Sequence, residues 1–466
     1  MMHGLVNTLI WMAEKGYVKS ELMHGITGQE TRHIVHHKAF TLVGALFISI
    51  FGFSLTTLKS VSLLFLGIFL IIFARYVWLN MGKEAAWLSL LIIMSNALIF
   101  QYSFVFRPEI MVMTLGFVSY LFLEKGLSQE RKLLAFLLGG VFAGLAAATH
   151  LNGLIFMVAG ALLLLWNKRI KATVLFSLAS LPAFAIYFYD FSEKFGISYW
   201  LYQINDSPAL QKSSVLPASL SFFAKMLNEQ MRFFHSPKEI TFSLLFIFLL
   251  VVNFKNLKKH SNLLRYLFLL IVSLSLVAVH STSKYMLLYI PYIFLIIITS
   301  LYDIYQNKVA VLDSTVKRNS PKLTNISLLL VLVYLGVNSF WNVRVSFRKF
   351  DVEKNVRIAE KYMDPNTHKL NILAPMTYIF NEMGNFKRIQ SDLSLAEMQK
   401  AGKKIAGSQL LNYADSMKID YLLITDEYKD RFKISSISVA DLKKYGFTIV
   451  GNEPGIIILK NNPQNQ

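Results

Sequence analysis

"FVFRPEIMVM", residues 104–113, sets an arginine, a proline and a glutamate between two apolar runs. A charged residue at the centre of a membrane helix costs about 2.5–3.5 kcal/mol on insertion scales, so charges that persist in apolar sequence face an interface or a cavity. The tripeptide Arg107-Pro108-Glu109 therefore reads as the edge of a membrane: one helix ends before it and another begins after it.

Working outward, the whole chain has this character. Its 466 residues are 54% hydrophobic and only 16% charged, with mean hydropathy +0.46, too apolar for an ordinary soluble protein of this length. The net charge of +19 does not point to nucleic acid, because the lysines and arginines are scattered between apolar segments instead of gathered on one soluble face. With no cysteine, disulfides and thiolate metal sites are excluded.

About 20 apolar residues cross about 30 Å of hydrocarbon. The expected spans are 58–80, 85–103, 108–124, 133–149, 151–167, 172–189, 240–254, 263–279, 285–302 and 324–342, about ten helices. Alternate loops carry Lys83; Lys125, Arg131 and Lys132; Lys168, Arg169 and Lys171; Lys255, Lys258, Lys259 and Arg265; and Lys308, Lys317, Arg318 and Lys322. The opposite short loops hold only Arg107 and Lys284. The positive-inside rule makes the first set cytoplasmic and the second external. External loops are then expected at 1–57 and 190–239, with an amphipathic helix near 219–234. Residues 1–39 are too polar to cross unaided and no signal peptide precedes them, so a further membrane helix upstream of Met1 is expected.

After Trp341 the composition turns polar. "LNILAP", "DYLLIT", "FTIV" and "GIIILK" read as strands, 352–363, 395–405 and 408–418 have helical spacing, and "GNEPG", 451–455, reads as a turn. The expected fold class is a polytopic α-helical membrane protein, with a transmembrane domain over 1–343 and a small external α/β domain over 344–466.

Four polar features fall on the external edge: "RPE" at 107–109, "THLNG" at 149–153, "HSTSKY" at 280–285 and "HIVHHK" at 33–38. Each has a plain structural reading. Arg107 and Glu109 fit an interface anchor and a helix-start carboxylate; His150 and Asn152 fit the cap of a tight interhelical turn; Lys284 fits a snorkelling lysine. They also fit a site built from several helix ends, in which Lys284 neutralises a phosphodiester at a low-dielectric edge. The spacing of His33, His36 and His37 permits one pair of metal ligands and supplies no third, leaving a divalent metal as an open alternative.

In order and sidedness these segments resemble the GT-C glycosyltransferases, membrane enzymes that include protein O-mannosyltransferases and lipid A aminoarabinose transferase. "AFTLVGALFISIFGFSLTTLKSVSLLFLGIFLIIFARYV" resembles the region after their first external loop, with Lys59 as the early basic residue of a helix. "FVFRPEIMVMTLGFVSYLFL" resembles a second external motif, "AGLAAATHLNGLIFMVAG" a small-residue helix pair, and "SKYMLLYIPYIFLII" the basic-aromatic sequence before a Pro-containing helix. Two departures stand out. The family's acid in the first external loop, the usual base, has no counterpart before Glu14, and His37-Lys38 replaces a Pro-Pro.

The resemblance implies transfer of a sugar from a polyprenyl-phosphate donor to a lipid, glycan or protein acceptor outside a plasma membrane, the bacterial inner membrane. It implies Glu109 and Arg107 as catalytic residues and Lys284, Tyr285 and His280 at the donor phosphate, with His150, Asn152 and His37 near the acceptor loop. Since the family's base would lie upstream of Met1, the chain as written is expected to be weakly active or inactive. Two rivals remain: a transporter or flippase, which requires discontinuous helices with polar residues near the midplane, and a noncatalytic scaffold whose external domain binds an envelope partner.

Overall fold

A computed structural model of the chain describes residues 2–23, 27–128, 133–206, 218–278, 282–312, 321–347, 353–364, 366–382, 385–391, 404–426, 429–430 and 433–462. It divides into a bundle unit, His37–Tyr189 with Lys212–Arg348, and a sheet unit, Met1–His36 with Asp190–Gln211 and Lys349–Gln466.

In chain order, α1 (Met2–Lys15) belongs to the sheet unit and the bundle begins with α2 (Lys38–Phe51), α3 (Leu55–Met81), α4 (Lys83–Ser95) and α5 (Ala97–Ser103). It continues through α6 (Glu109–Ser128), α7 (Leu133–Thr149), α8 (Leu154–Trp166) and α9 (Ile170–Ala185). After α10 (Ile197–Asp206) in the sheet unit come α11 (Ala218–Asn228), α12 (Gln230–Phe233), α13 (Pro237–Val252), α14 (Phe254–Leu257), α15 (Ser261–Val277), α16 (Ile290–Leu312) and α17 (Pro321–Ser346).

Five described helices are long and apolar enough to cross a membrane, Leu55–Met81, Glu109–Ser128, Ile170–Phe188, Phe254–Val277 and Leu323–Ser346, and two bent pairs bring the number to seven. The chain is a polytopic α-helical membrane protein. Its outer helices show large apolar side chains to the surroundings, among them Leu64, Ile71 and Trp78 on α3 and Leu328, Leu329 and Leu332 on α17. Residues Ile290–Ser300 of α16 are buried on every side, as a central helix must be. Helices α7 and α9 approach closely through Gly140 and Gly144, four residues apart, where a Cβ would run into the Phe176 and Ser180 carbonyl oxygens. Small residues at such spacing let backbones meet where hydrocarbon solvent provides no hydrophobic drive.

Residues 38–51, expected within the external loop 1–57, form α2 instead. Fourteen residues reach about 21 Å at 1.5 Å per residue, short of a span. Leu46, Ile50 and Phe51 are exposed on it, and buried Lys38, Phe40, Thr41 and Ala45 face the bundle. The bend of 68° between α4 and α5 is closed by side chains: Asn96 Oδ1 accepts from the Leu98 and Ile99 amides, and Asn338 Oδ1 from the Ala97 amide at 3.0 Å. The break thus leaves these freed backbone donors satisfied, as a protein in lipid requires.

The sheet unit contains β1 (Asn371–Ala374), β2 (Arg388–Ser391), β3 (Tyr421–Thr425), β4 (Phe447–Glu453) and β5 (Ile456–Asn461), in the order β2-β1-β3-β5-β4. Strand β1 runs parallel to β2 and β3; β5 runs antiparallel to β3 and β4. Helices α18 (Lys354–Ala359), α19 (Met376–Glu382), α20 (Gly407–Ser416) and α21 (Val439–Lys444) accompany it. Two clusters form its core, one with Ile372, Ile379 and Leu423, the other with Leu373, Leu411 and Leu422, as alternation along β1 and β3 demands. Strand β4 runs further than expected, so the turn shrinks to Pro454-Gly455, with Gly455 at φ 90°, the pattern of a type II turn. The helix expected over 395–405 lies largely outside the described residues. Near the N-terminus, Leu22 enters the first cluster, and Gln203 of α10 bonds the backbone at Thr27, Arg32, Ile34 and Val35.

Candidate functional site

The site lies at the end of the bundle unit where α6 begins. Pro108 locks its own φ near about −65°, and the side chains on either side of it close on each other. Arg107 Nη2 lies 2.6 Å from Glu109 Oε1, and Nε lies 3.0 Å from Oε2. Glu109 is 1% exposed, so this two-pronged bond satisfies a charge that burial would otherwise make very costly. Ser62 of α3 donates to the Val105 carbonyl at 2.8 Å and pins the entry to the tripeptide.

The SKY sequence lies in a 3-10 segment, Ser283–Leu288, between α15 and α16. Lys284 Nζ sits 4.8 Å from the Tyr285 ring centroid, with the Arg232 guanidinium 5.4 Å from the same ring. Burial first, then the positive charges of Arg107 and Arg232, push the Lys284 ammonium below the ordinary lysine range, while Glu109 pulls the other way. Lys284 has no ion-pair partner within 4.0 Å among the described residues. Arg107 is neutralised by Glu109 and Arg232 by Glu229, at 2.8 Å, which leaves Lys284 as the uncompensated cation of the cluster.

His150 starts the turn between α7 and α8, its Nδ1 accepting from the Asn152 amide at 3.0 Å. Its ring stacks on His37 at 4.5 Å and meets Tyr285 edge-on at 5.7 Å. Burial, with Lys284 and Arg107 adding to it, lowers its pKa to about 3, so the imidazole is neutral and acts as a cap and packing surface.

The structure thus brings Arg107, Glu109, Lys284, Tyr285, His150, Asn152 and His37 to one end of the bundle unit. His280 lies outside the described residues. Among the described residues no group of three His, Asp or Glu side chains is placed to hold a metal. His33 and His36 pack ring on ring at 4.8 Å, and His36 Nε2 is bonded to Thr8.

Sequence reasoning missed Arg232, Glu229 and Glu239. Arg232 is 1% exposed and donates to Glu229 Oε2 and, at 2.8 Å, to the Thr282 carbonyl, which ties α12 to the segment carrying Lys284. For Arg232 and Glu229 the sequence held an i,i+3 pair of opposite charges, which marks the pairing and not the burial.

Two crystal structures of ArnT from Cupriavidus metallidurans share this fold. The one bound to undecaprenyl phosphate is 11% identical, with a TM-score of 0.57 over 99% of this chain and 94% of that one. The apo state is 12% identical, with a TM-score of 0.55 and the same coverage. The archaeal oligosaccharyltransferase AglB from Archaeoglobus fulgidus, in complex with an inhibitory peptide and a dolichol-phosphate, is 13% identical, with a TM-score of 0.53 over 92% of this chain and 65% of that one. No protein-family model and no curated protein matches the chain. The chain shares with ArnT and AglB the GT-C fold and has a small C-terminal α/β domain.

Proposed function

We propose that the chain is an integral membrane glycosyltransferase that moves a sugar from a polyprenyl-phosphate donor to a lipid, glycan or protein acceptor. The reaction takes place on the outer side of the membrane, the side on which the positive-inside rule puts the Arg107 end of the bundle and the C-terminal domain. One observation carries this reading: Lys284, the uncompensated cation, lies beside two neutralised arginine pairs at the end of an apolar helix bundle. A phosphate entering there replaces repulsion from Arg107 and Arg232 with attraction to three cations, while its polyprenyl chain stays among lipid. The fold shared with a protein that binds undecaprenyl phosphate supports the same substrate class.

In the transfer, the acceptor oxygen bonds to the anomeric carbon as the bond from that carbon to the phosphate oxygen breaks. Negative charge grows on the departing phosphate, where Lys284 and the nearby guanidinium groups stabilise it. Arg107 holds Glu109, and Tyr285 spaces Lys284 from Arg232.

The test is reconstitution of the chain in lipid nanodiscs with undecaprenyl-phosphate-linked, radiolabelled sugars and an envelope extract as acceptor source. Label passing into the extract, with Lys284→Ala reducing the rate at least about 100-fold as loss of one such charge contact does, supports the reading. A protein that neither transfers sugar nor binds undecaprenyl phosphate rules it out. Substitutions at Glu109 and Lys284 that leave the cell envelope unchanged favour the scaffold.

A further inference from the structure

Among the described residues three carboxylates are buried at or near this end of the bundle unit, on Glu109, Glu229 and Glu239. Two are clamped. Arg107 bonds both oxygens of Glu109, and Glu229 Oε2 accepts from Arg232 Nε at 2.8 Å and from the Tyr289 hydroxyl at 3.2 Å. Glu239 is different. It is 1% exposed, yet its Oε1 has no hydrogen-bond partner among the described residues. The nearest cation, Lys238 Nζ, is 3.9 Å away and donates instead to Gln101 Oε1 at 3.0 Å.

The sequence offers a plain reading of this residue. Ser236-Pro237-Lys238-Glu239 matches a capping box, in which the serine hydroxyl accepts from the backbone and the glutamate bonds back to the N-cap amide. The structure does not build it. Ser236 stands at the N-cap of α13 without a side-chain cap bond, and its hydroxyl donates to Glu239 Oε2. Nor is Glu239 remote from the chemistry. Its neighbour Lys238 bonds Gln101, the residue before Tyr102, and the Arg107 guanidinium is 5.8 Å from the Tyr102 ring centroid.

We infer that Glu239 is the general base for the acceptor, an inference that rests on the transferase reading. Glu109 is poorly suited to the part, since taking a proton would break both guanidinium bonds and leave Arg107 buried without its counter-charge. Glu239 Oε1 is free to accept a hydrogen bond from an acceptor hydroxyl and then its proton. The oxygen lone pair forms the new bond to the anomeric carbon, and the electron pair of the broken bond leaves on the phosphate. The proton on Glu239 passes to water once the glycosylated acceptor departs. This puts a base among the described residues of the bundle unit.

The inference is tested in nanodiscs by three readouts. Dicyclohexylcarbodiimide, which couples to unclamped acids in apolar surroundings, should modify Glu239 and spare Glu109 and Glu229, and Glu239→Gln should abolish the label. Glu239→Gln should bind undecaprenyl phosphate within about twofold of the wild type, which shows it folded, while its sugar transfer falls at least about 100-fold, the ordinary contribution of a general base. Label on Glu109 in place of Glu239, or transfer at the wild-type rate by Glu239→Gln, overturns the inference. If the wild type binds no undecaprenyl phosphate, the transferase reading fails, and the labelling still decides whether Glu239 is the unclamped acid.

Discussion

Arg107 and Glu109, separated by one proline, bond through two nitrogens and both carboxylate oxygens, with the shortest contact at 2.6 Å. The pair is nearly out of contact with solvent on the glutamate side, at 1% side-chain exposure. Breaking it from one side leaves a buried ion alone. Glu109→Gln or Arg107→Gln should therefore lower stability by about 3–5 kcal/mol, and the double replacement Arg107→Met with Glu109→Leu should recover much of that loss while remaining inactive. Thermal unfolding of the detergent-solubilised variants measures this; a double variant no more stable than either single one would contradict it.

Lys284 predicts a pH dependence. Its charged form is the one that attracts a phosphate, and burial together with Arg107 and Arg232 has moved its pKa below the ordinary lysine value of 10.5. Affinity for undecaprenyl phosphate should be full at neutral pH and decline as the pH rises, starting below the range of a solvated lysine. Lys284→Arg, which stays charged, should flatten the decline. Equal profiles for the two proteins would show that another group controls binding.

His150 makes the opposite statement at low pH. Its folded pKa of about 3 lies below the ordinary 6.5, so between these values the unfolded chain binds a proton that the folded one does not. Stability is then complete above pH 6.5 and declines as the pH falls below it. His150→Asn, which can still cap the turn, should show a shallower decline in acid unfolding.

Gly144 tests the packing. A Cβ there meets the Ser180 carbonyl and the Ala183 side chain, so Gly144→Val should force α7 and α9 apart at a cost of about 1–3 kcal/mol. The same change at Gly67, with open space around it, should cost less. Comparing midpoints of thermal unfolding separates the two.

Much of this was legible in the sequence, for reasons that differ from residue to residue. The tripeptide 107–109 and Lys284 stood out because charge is rare in apolar sequence, and strands β1 and β3 because "NILA" and "YLLIT" are short, apolar and rich in branched residues. Strand β2, "RIQS", is four residues with three polar ones, and only its pairing with β1 makes it a strand. Helix α2 was hidden because its apolar run is too short to span and continues after three residues into α3. Arg232 and Glu239 looked like ordinary charges of an external loop. Arg232 is held by the Thr282 carbonyl, and Lys238, beside Glu239, by Gln101, both distant in sequence, and no local pattern encodes such burial.

The central claim is that side chains from separate helix ends form one phosphate-binding cluster. An experimental structure of the full chain with undecaprenyl phosphate tests it most directly. The phosphate should lie within hydrogen-bond distance of Lys284 Nζ, with Arg107 or Arg232 beside it and the polyprenyl chain along the bundle surface. A phosphate bound elsewhere, with Lys284, Arg107 and Arg232 all turned away from it, would contradict the account.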